Sequence, residues 1–127
     1  MKNNTISQGH SRAGFRELLE RVKLQVEYAS FGVRDREQVN ELCNIIAEIY
    51  LLPGTAPVQI GGNKLTAETV SVFYSALTGD HLQYVIEEFR KIEYYIVHKK
   101  SYLRTMLYNA VFEYVSAAVN DAAQNTG

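Results

Sequence analysis

A run of apolar residues at helical spacing between positions 35 and 52 restricts most strongly how this chain can fold. Apolar side chains recur there every three or four residues, which places them on one face of a helix. The members of this stripe are Val39, Leu42, Cys43, Ile45, Ile46, Ile49 and Leu52. Asp35 is a suitable N-cap, with Gln38 at the capping-box position, and Pro53 with Gly54 predicts the end of the helix.

The same spacing predicts helices on both sides of this segment. A first helix is expected over about 14–27, ending before Gly32. Another is expected after Thr66, which is a favourable N-cap, and a third after a cap supplied by Thr78 or Asp80. Each carries one apolar face, so the helices must pack on one another.

The last helical segment runs from about Lys99 to Ala122. It contains no proline or glycine, so it is either one long helix or two helices with a bend near Asn109. Leu103, Met106 and Leu107 share one side, which we expect to face the core.

One short segment has a different pattern. Val58 and Ile60 alternate with polar residues before Gly61-Gly62-Asn63, which predicts a small hairpin or an extended loop near 57–65. Two short strands are marginal alone, so this segment must lie against helices. The predicted fold class is therefore all-α, a compact bundle of five or six helices with a minor β-hairpin or extended loop.

Domain organisation follows from the polar ends of the chain. We predict a flexible arm at residues 1–13, a single helical domain at residues 14–122 and a flexible tail at residues 123–127. No apolar run is long enough to span a bilayer or to act as a secretory signal. A single cysteine, Cys43, precludes an internal disulfide, so a cytoplasmic protein without membrane contact is expected.

Charge restricts the class of partner. The formal net charge is −1 and the pI is about 6.3, which argues against the overall basic field of a strong DNA-binding protein.

No group of residues has the spacing of a metal site. His10, His81 and His98 are scattered, and Cys43 stands alone on the apolar stripe. Zinc sites need closely spaced cysteines or histidines, so neither a metal nor a cofactor is expected. We interpret Cys43 as a small buried residue of the core.

Catalytic patterns are equally weak. The stretch GGNKLT lacks the spacing of a phosphate-binding loop. Glu87 and Glu88 are adjacent, so on a helix they point about 100° apart and cannot converge as an acid–base pair. These observations favour a non-enzymatic protein.

The stretch from Arg90 to Arg104 combines basic and aromatic residues. It contains five basic side chains and one acid, Glu93, and three tyrosines lie among them in the sequence. This composition suits contact with phosphates and stacking on unpaired bases. The candidate DNA- or partner-binding residues here are Arg90, Lys91, Tyr95, Lys99, Lys100, Tyr102 and Arg104. The alternative to a binding site is an ordinary protein surface, with solvated lysines and half-buried tyrosines.

Two further charge patterns bear on this stretch. Lys99, Lys100 and Arg104 lie near the expected start of the last helix, where positive charge opposes the helix dipole, and this favours a functional role for them. Seven acids fall in the first half of the chain, away from this basic stretch, and such a distribution also fits a polar protein–protein docking face.

Three segments together resemble a known family: VEYASF, IGGNKLTAETVSVFYSALTGDHLQYVIEEF and KKSYLRTMLYNA. They are similar to the C-terminal domain of replication initiator protein A of Gram-positive plasmids, over about 22–121. They also resemble the C-terminal domain of DnaD-like primosome proteins. The residues that match the DnaD-like pattern are Tyr102, Leu103, Met106, Leu107 and Asn109, and Ala110 stands where that pattern has tryptophan.

The resemblance implies a helical domain that recruits host replication proteins, such as primase or the helicase-loading machinery, during plasmid replication initiation. It also implies auxiliary contact with single-stranded DNA, and it adds Asn109 to the candidate binding residues. The alternative is an oligomerisation or protein-interaction module that does not bind nucleic acid.

Overall fold

The computed structural model of this protein describes the backbone of residues 2–126 and the side chains of residues 14–114. The elements in chain order are α1 (Lys2–Gln25), a 3₁₀ turn (Tyr28–Ser30), α2 (Val33–Leu51), β1 (Pro57–Ile60), β2 (Asn63–Thr66), α3 (Ala67–Tyr74), α4 (Gly79–Arg90) and α5 (Lys99–Thr126). The predicted arm at 1–13 and tail at 123–127 lie outside the residues whose side chains are described.

The fold class predicted from the sequence is confirmed. In the described part of the chain, five helices pack around one apolar core, and a two-stranded antiparallel sheet lies at its side. No helix there is both long and apolar enough to cross a membrane.

α2 is the centre of the bundle. It contacts α1, α3, α4 and α5, and the predicted stripe is its buried surface except at Leu52, which follows the helix and is 41% exposed. The buried residues of α2 are Val39, Leu42, Cys43, Ile45, Ile46, Ala47 and Ile49. Burial raises the pKa of the Cys43 thiol to about 11, so this side chain remains a neutral thiol in the core at ordinary pH.

The predicted start of α2 is wrong. The helix begins at Val33 after Gly32, and no side chain caps it. Asp35 lies in the first turn, where its Oδ1 accepts a hydrogen bond from Arg90 Nη2 on α4 at 2.6 Å. An acid in the first turn also complements the helix dipole, so Asp35 stabilises the helix start without capping it.

A polar contact joins three helices at one end of the core. α1 ends at Gln25, two residues earlier than predicted, and Glu27 adopts a left-handed conformation with φ 56°. Gln25 Nε2 donates to the carbonyl oxygens of Tyr74 and Leu77, at 3.0 and 2.8 Å, and its Oε1 accepts from the Tyr50 hydroxyl. One side chain thus satisfies backbone carbonyls at the end of α3 and connects α1, α2 and α3.

The start of α4 packs tightly against the end of α1. A Cβ atom at Gly79 would lie 2.8 Å from the Val26 carbonyl oxygen, so only glycine fits without movement. Thr78, one of the two predicted caps, is the residue that precedes the helix. Its backbone N–H donates to Nδ1 of His81 at 3.0 Å.

The predicted hairpin is confirmed. β1 and β2 pair antiparallel with Ile60 opposite Asn63, and Gly61 in the turn has φ 57°. Val58 and Ile60 are buried against the helices. Thr66 caps α3 as predicted, because its Oγ1 accepts from the Thr69 backbone N–H at 3.2 Å.

α5 is one helix that continues through Asn109. Leu103 and Leu107 are buried as predicted, and Met106 is half-buried. The Tyr74 hydroxyl donates to the Arg104 carbonyl oxygen at 2.6 Å, so α3 is joined to α5 by a partly buried hydrogen bond.

Leu107→Ala should lower the free energy of unfolding by about 2–5 kcal/mol, because a fully buried side chain would be replaced by a cavity. Urea denaturation measures this change. Leu24→Ala on α1 is the matched control, since Leu24 is 80% exposed. Equal effects of the two substitutions would contradict this core assignment.

His81 should make stability depend on pH. It is 6% exposed, and its Nδ1 accepts the Thr78 N–H, so the buried ring is held neutral. Burial lowers its pKa, and nearby Asp80 opposes this effect. The unfolded histidine titrates near 6.5, so the stabilisation is fully present above about pH 6.5 and is lost as pH falls through the lower folded pKa.

His81→Gln keeps an acceptor at the capping-box position but cannot titrate. Urea denaturation between pH 7.5 and 4.5 should show that this variant loses less stability on acidification than the parent, by about 0.5–2 kcal/mol, the contribution of a helix cap. His98→Gln is the control, because His98 is exposed. If His81→Gln retains the full acid sensitivity of the parent, His81 is not its source.

Candidate docking site

The segment between α4 and α5 exposes an unusual amount of apolar surface. Residues 92–98 contain no glycine, proline or regular helix. Tyr94, Tyr95 and Val97 are 67%, 86% and 72% exposed. Neighbouring exposed apolar side chains are typical of interaction surfaces, whereas isolated ones are common everywhere.

This segment forms one wall of an open groove with a volume of about 580 Å³. Residues of the first turns of α5 line the groove as a second wall, and Gly61 of the hairpin turn also lines it. We call it the tyrosine groove, and the lining residues that matter below are Tyr94, Tyr95, Val97, His98, Tyr102 and Asn109. Three of the predicted binding residues, Tyr95, Tyr102 and Asn109, therefore line one surface.

Two contacts hold the walls of the tyrosine groove in place. The Gly61 backbone N–H donates to Thr105 Oγ1 at 3.0 Å, which joins the hairpin turn to α5. The Tyr102 ring packs edge-on against Phe89 of α4, with centroids 6.3 Å apart. A side-chain hydrogen bond with Tyr94 is the main reason that the pKa of Tyr102 is raised.

Most of the predicted basic residues are paired with carboxylates. The ion pairs are Arg90 with Asp35 at 2.6 Å, Lys91 with Glu88 at 2.7 Å, Lys99 with Glu41 at 3.2 Å, and Lys100 with Glu48 at 2.5 Å. Three of the four acids belong to α2. The positive charge of the stretch from Arg90 to Arg104 is thus largely compensated by carboxylates within the molecule.

The pairs also explain why lysines occupy the first turn of α5. Glu41 and Glu48 are seven residues apart on α2, so they lie two turns apart on nearly the same side of that helix. Their carboxylates meet Lys99 and Lys100, the first two residues of α5. Cross-helix ion pairs offset the unfavourable interaction with the helix dipole, which supplies a structural reason for this basic pair.

Arg104 has a different environment from the lysines. It is half-buried, and its Nε is buried without a hydrogen-bond partner among the described residues. It lines neither wall of the tyrosine groove. The basic surface predicted from Lys99, Lys100 and Arg104 therefore consists of two carboxylate-paired lysines and one arginine set partly into the bundle.

The sequence pattern missed part of the groove. Tyr94, Val97 and His98 line it but were not among the predicted binding residues. The available signal is the run from Tyr94 to Val97, four consecutive apolar residues that continue neither the α4 stripe nor the α5 stripe. Within the part of the chain that the structure describes, no cluster of histidine, cysteine, aspartate or glutamate has the arrangement of a metal site.

Comparisons with known proteins add no further assignment. No protein-family model matches the chain, and neither the curated proteins nor the solved structures give a significant match.

Lys100→Glu should destabilise the fold, because it places a second carboxylate beside Glu48. Both side chains are about half exposed, so we expect a loss of about 0.5–1 kcal/mol at low salt. The double variant Glu48→Lys/Lys100→Glu restores opposite charges and should recover most of this loss in thermal or urea denaturation.

Lys64→Glu is the control for net charge, since Lys64 is exposed on β2. It should change the stability less than Lys100→Glu does. The helix dipole alone predicts the opposite result, a more stable Lys100→Glu variant. Such a gain in stability would show that the ion pair is not the dominant interaction at this position.

Proposed function

We propose that this chain is a non-enzymatic helical docking domain of a plasmid or mobile-element replication initiator, acting in the cytoplasm. It recruits a host replication protein, of the primase or helicase-loading machinery, through the tyrosine groove. The resemblance of the chain to the C-terminal domain of plasmid replication initiators supports the biological context, and the groove supplies the surface.

The observation that carries this proposal is the exposure of Tyr94, Tyr95 and Val97 on one wall of a groove. Tyrosine is enriched among the residues that dominate binding energy at protein interfaces, because it buries a large area and keeps a hydroxyl for hydrogen bonding. Residues 92–98 connect two packed helices, so the exposed side chains are held on a short segment with fixed ends.

The charge arrangement favours a protein partner over a nucleic acid. Lys99 and Lys100 already face Glu41 and Glu48, and a phosphate backbone would have to compete with those carboxylates. Contact with single-stranded DNA is accordingly auxiliary in this proposal, and it would use stacking on Tyr95 and Tyr102 more than phosphate neutralisation.

The alternative, an oligomerisation module, would use the same exposed apolar surface for a second copy of the chain. Sedimentation of the purified protein over a range of concentrations distinguishes the two. We expect the protein to sediment as a monomer, because the groove is reserved for the partner protein. Dimerisation that Val97→Ala abolishes would favour the alternative.

Tyr95→Ala and Val97→Ala should each weaken binding to the purified primase or helicase-loading protein of a Gram-positive host by roughly tenfold or more. Surface plasmon resonance at one fixed salt concentration measures the effect. Val33→Ala is the matched control, because Val33 is 82% exposed at the start of α2 and does not line the groove.

All three variants should fold with nearly unchanged melting temperatures, since each removes exposed atoms. If the purified host protein that binds the parent chain also binds Val97→Ala as tightly as Val33→Ala, the groove is not the recruiting surface.

A further inference from the structure

A second open cavity adjoins the tyrosine groove at the end of α4. Its volume is about 470 Å³. Tyr94, Tyr102 and Met106 line both cavities, so the two share a wall. We call the second cavity the acidic notch, and its remaining lining residues are Glu88, Lys91, Ile92 and Glu93.

The charged side chains of the acidic notch leave it negative. Lys91 Nζ pairs with a Glu88 carboxylate oxygen at 2.7 Å, so one of the two acids is already neutralised. Glu93 is exposed and forms no ion pair with any described residue. Two acids and one lysine give the notch a formal charge of −1, whereas no acid, lysine or arginine lines the tyrosine groove. A cation on the partner complements this charge, and a phosphate group does not.

The tyrosines of the acidic notch select among the possible cations. Tyr94 and Tyr102 line the notch together with Glu93. Aromatic faces attract cations, and the planar guanidinium of arginine also stacks on them. A guanidinium can donate two parallel N–H groups to one carboxylate, whereas the ammonium of lysine acts as a point charge. A cavity that combines an unpaired acid with two tyrosines therefore fits arginine better than lysine.

We infer that the acidic notch binds an arginine side chain of a partner protein, next to the apolar residues that enter the tyrosine groove. The guanidinium pairs with the Glu93 carboxylate and lies beside the two tyrosine rings. The inference rests on the proposed function for the identity of the partner, whereas the preference of the notch for arginine is independent of it. Because Glu93 is exposed, added salt weakens this contact.

The experiment titrates the full chain with N-acetylargininamide. The methyl NMR signals of Ile92 and Met106 should shift, while those of Val33 at the start of α2 should not. N-acetylcitrullinamide has nearly the same shape but carries no charge. It should bind roughly three- to tenfold more weakly, which is the combined effect of an exposed ion pair and a cation–π contact. N-acetyllysinamide should also bind more weakly than the arginine derivative.

Glu93→Gln removes the charge and keeps the size of the side chain. This variant should lose most of the preference for the arginine derivative over the citrulline derivative. Glu17→Gln is the matched control, because Glu17 is exposed on α1 and lines neither cavity, and it should retain the full preference. Both variants should melt like the parent, since each changes an exposed side chain.

Four results would each overturn the inference: unshifted Ile92 and Met106 signals, equal binding of the arginine and citrulline derivatives by the parent chain, tighter binding of the lysine derivative, or a full preference for arginine in Glu93→Gln. Shifts of the same signals when the protein is concentrated without the probe would assign the notch to a second copy and overturn the assignment to a partner. The titrations contain no host replication protein, so their failure is distinguishable from failure of the proposed function.

Discussion

The packing of α2 against every other helix is the constraint from which the rest of the architecture follows. Four other helices pack against it, and its apolar stripe forms the middle of the core. Two half-buried acids of α2, Glu41 and Glu48, pair their carboxylates with Lys99 and Lys100 of α5. The core thereby determines which charges remain available at the surface.

This arrangement places the basic and the aromatic side chains of the stretch from Arg90 to Arg104 in different surroundings. Lys99 and Lys100 connect α5 to α2 at the helix start, whereas Tyr94 and Tyr95 lie on the segment between α4 and α5 and face the solvent. The edge-on packing of Tyr102 against Phe89 joins the two helices that flank this segment. The surface offered to a partner is therefore mainly apolar and aromatic, and most of its neighbouring cations are already paired.

Local patterns in the sequence were sufficient for most of the fold. Helical spacing located α2 and the buried side of α5, and Gly61-Gly62-Asn63 located the hairpin turn. Asp35 was mistaken for a cap because its true partner, Arg90, lies 55 residues away, and no local pattern reveals such a pair. The candidate site shows the same limit of local patterns. Tyr95, Tyr102 and Asn109 of the groove were predicted from the sequence. The pairing of Lys99 and Lys100 with α2 was not, because it depends on tertiary packing.

The central claim is that carboxylates of α2 neutralise the lysines of α5, so that binding relies on the tyrosine groove. Titration of a single-stranded oligonucleotide at several salt concentrations tests it most directly. If Lys99, Lys100 and Arg104 contacted three phosphates, the log–log slope of affinity against salt would be about −2. The account predicts a slope shallower than about −1, since two of these cations remain paired with Glu41 and Glu48. A slope of about −2 that disappears in Lys99→Gln/Lys100→Gln would contradict it.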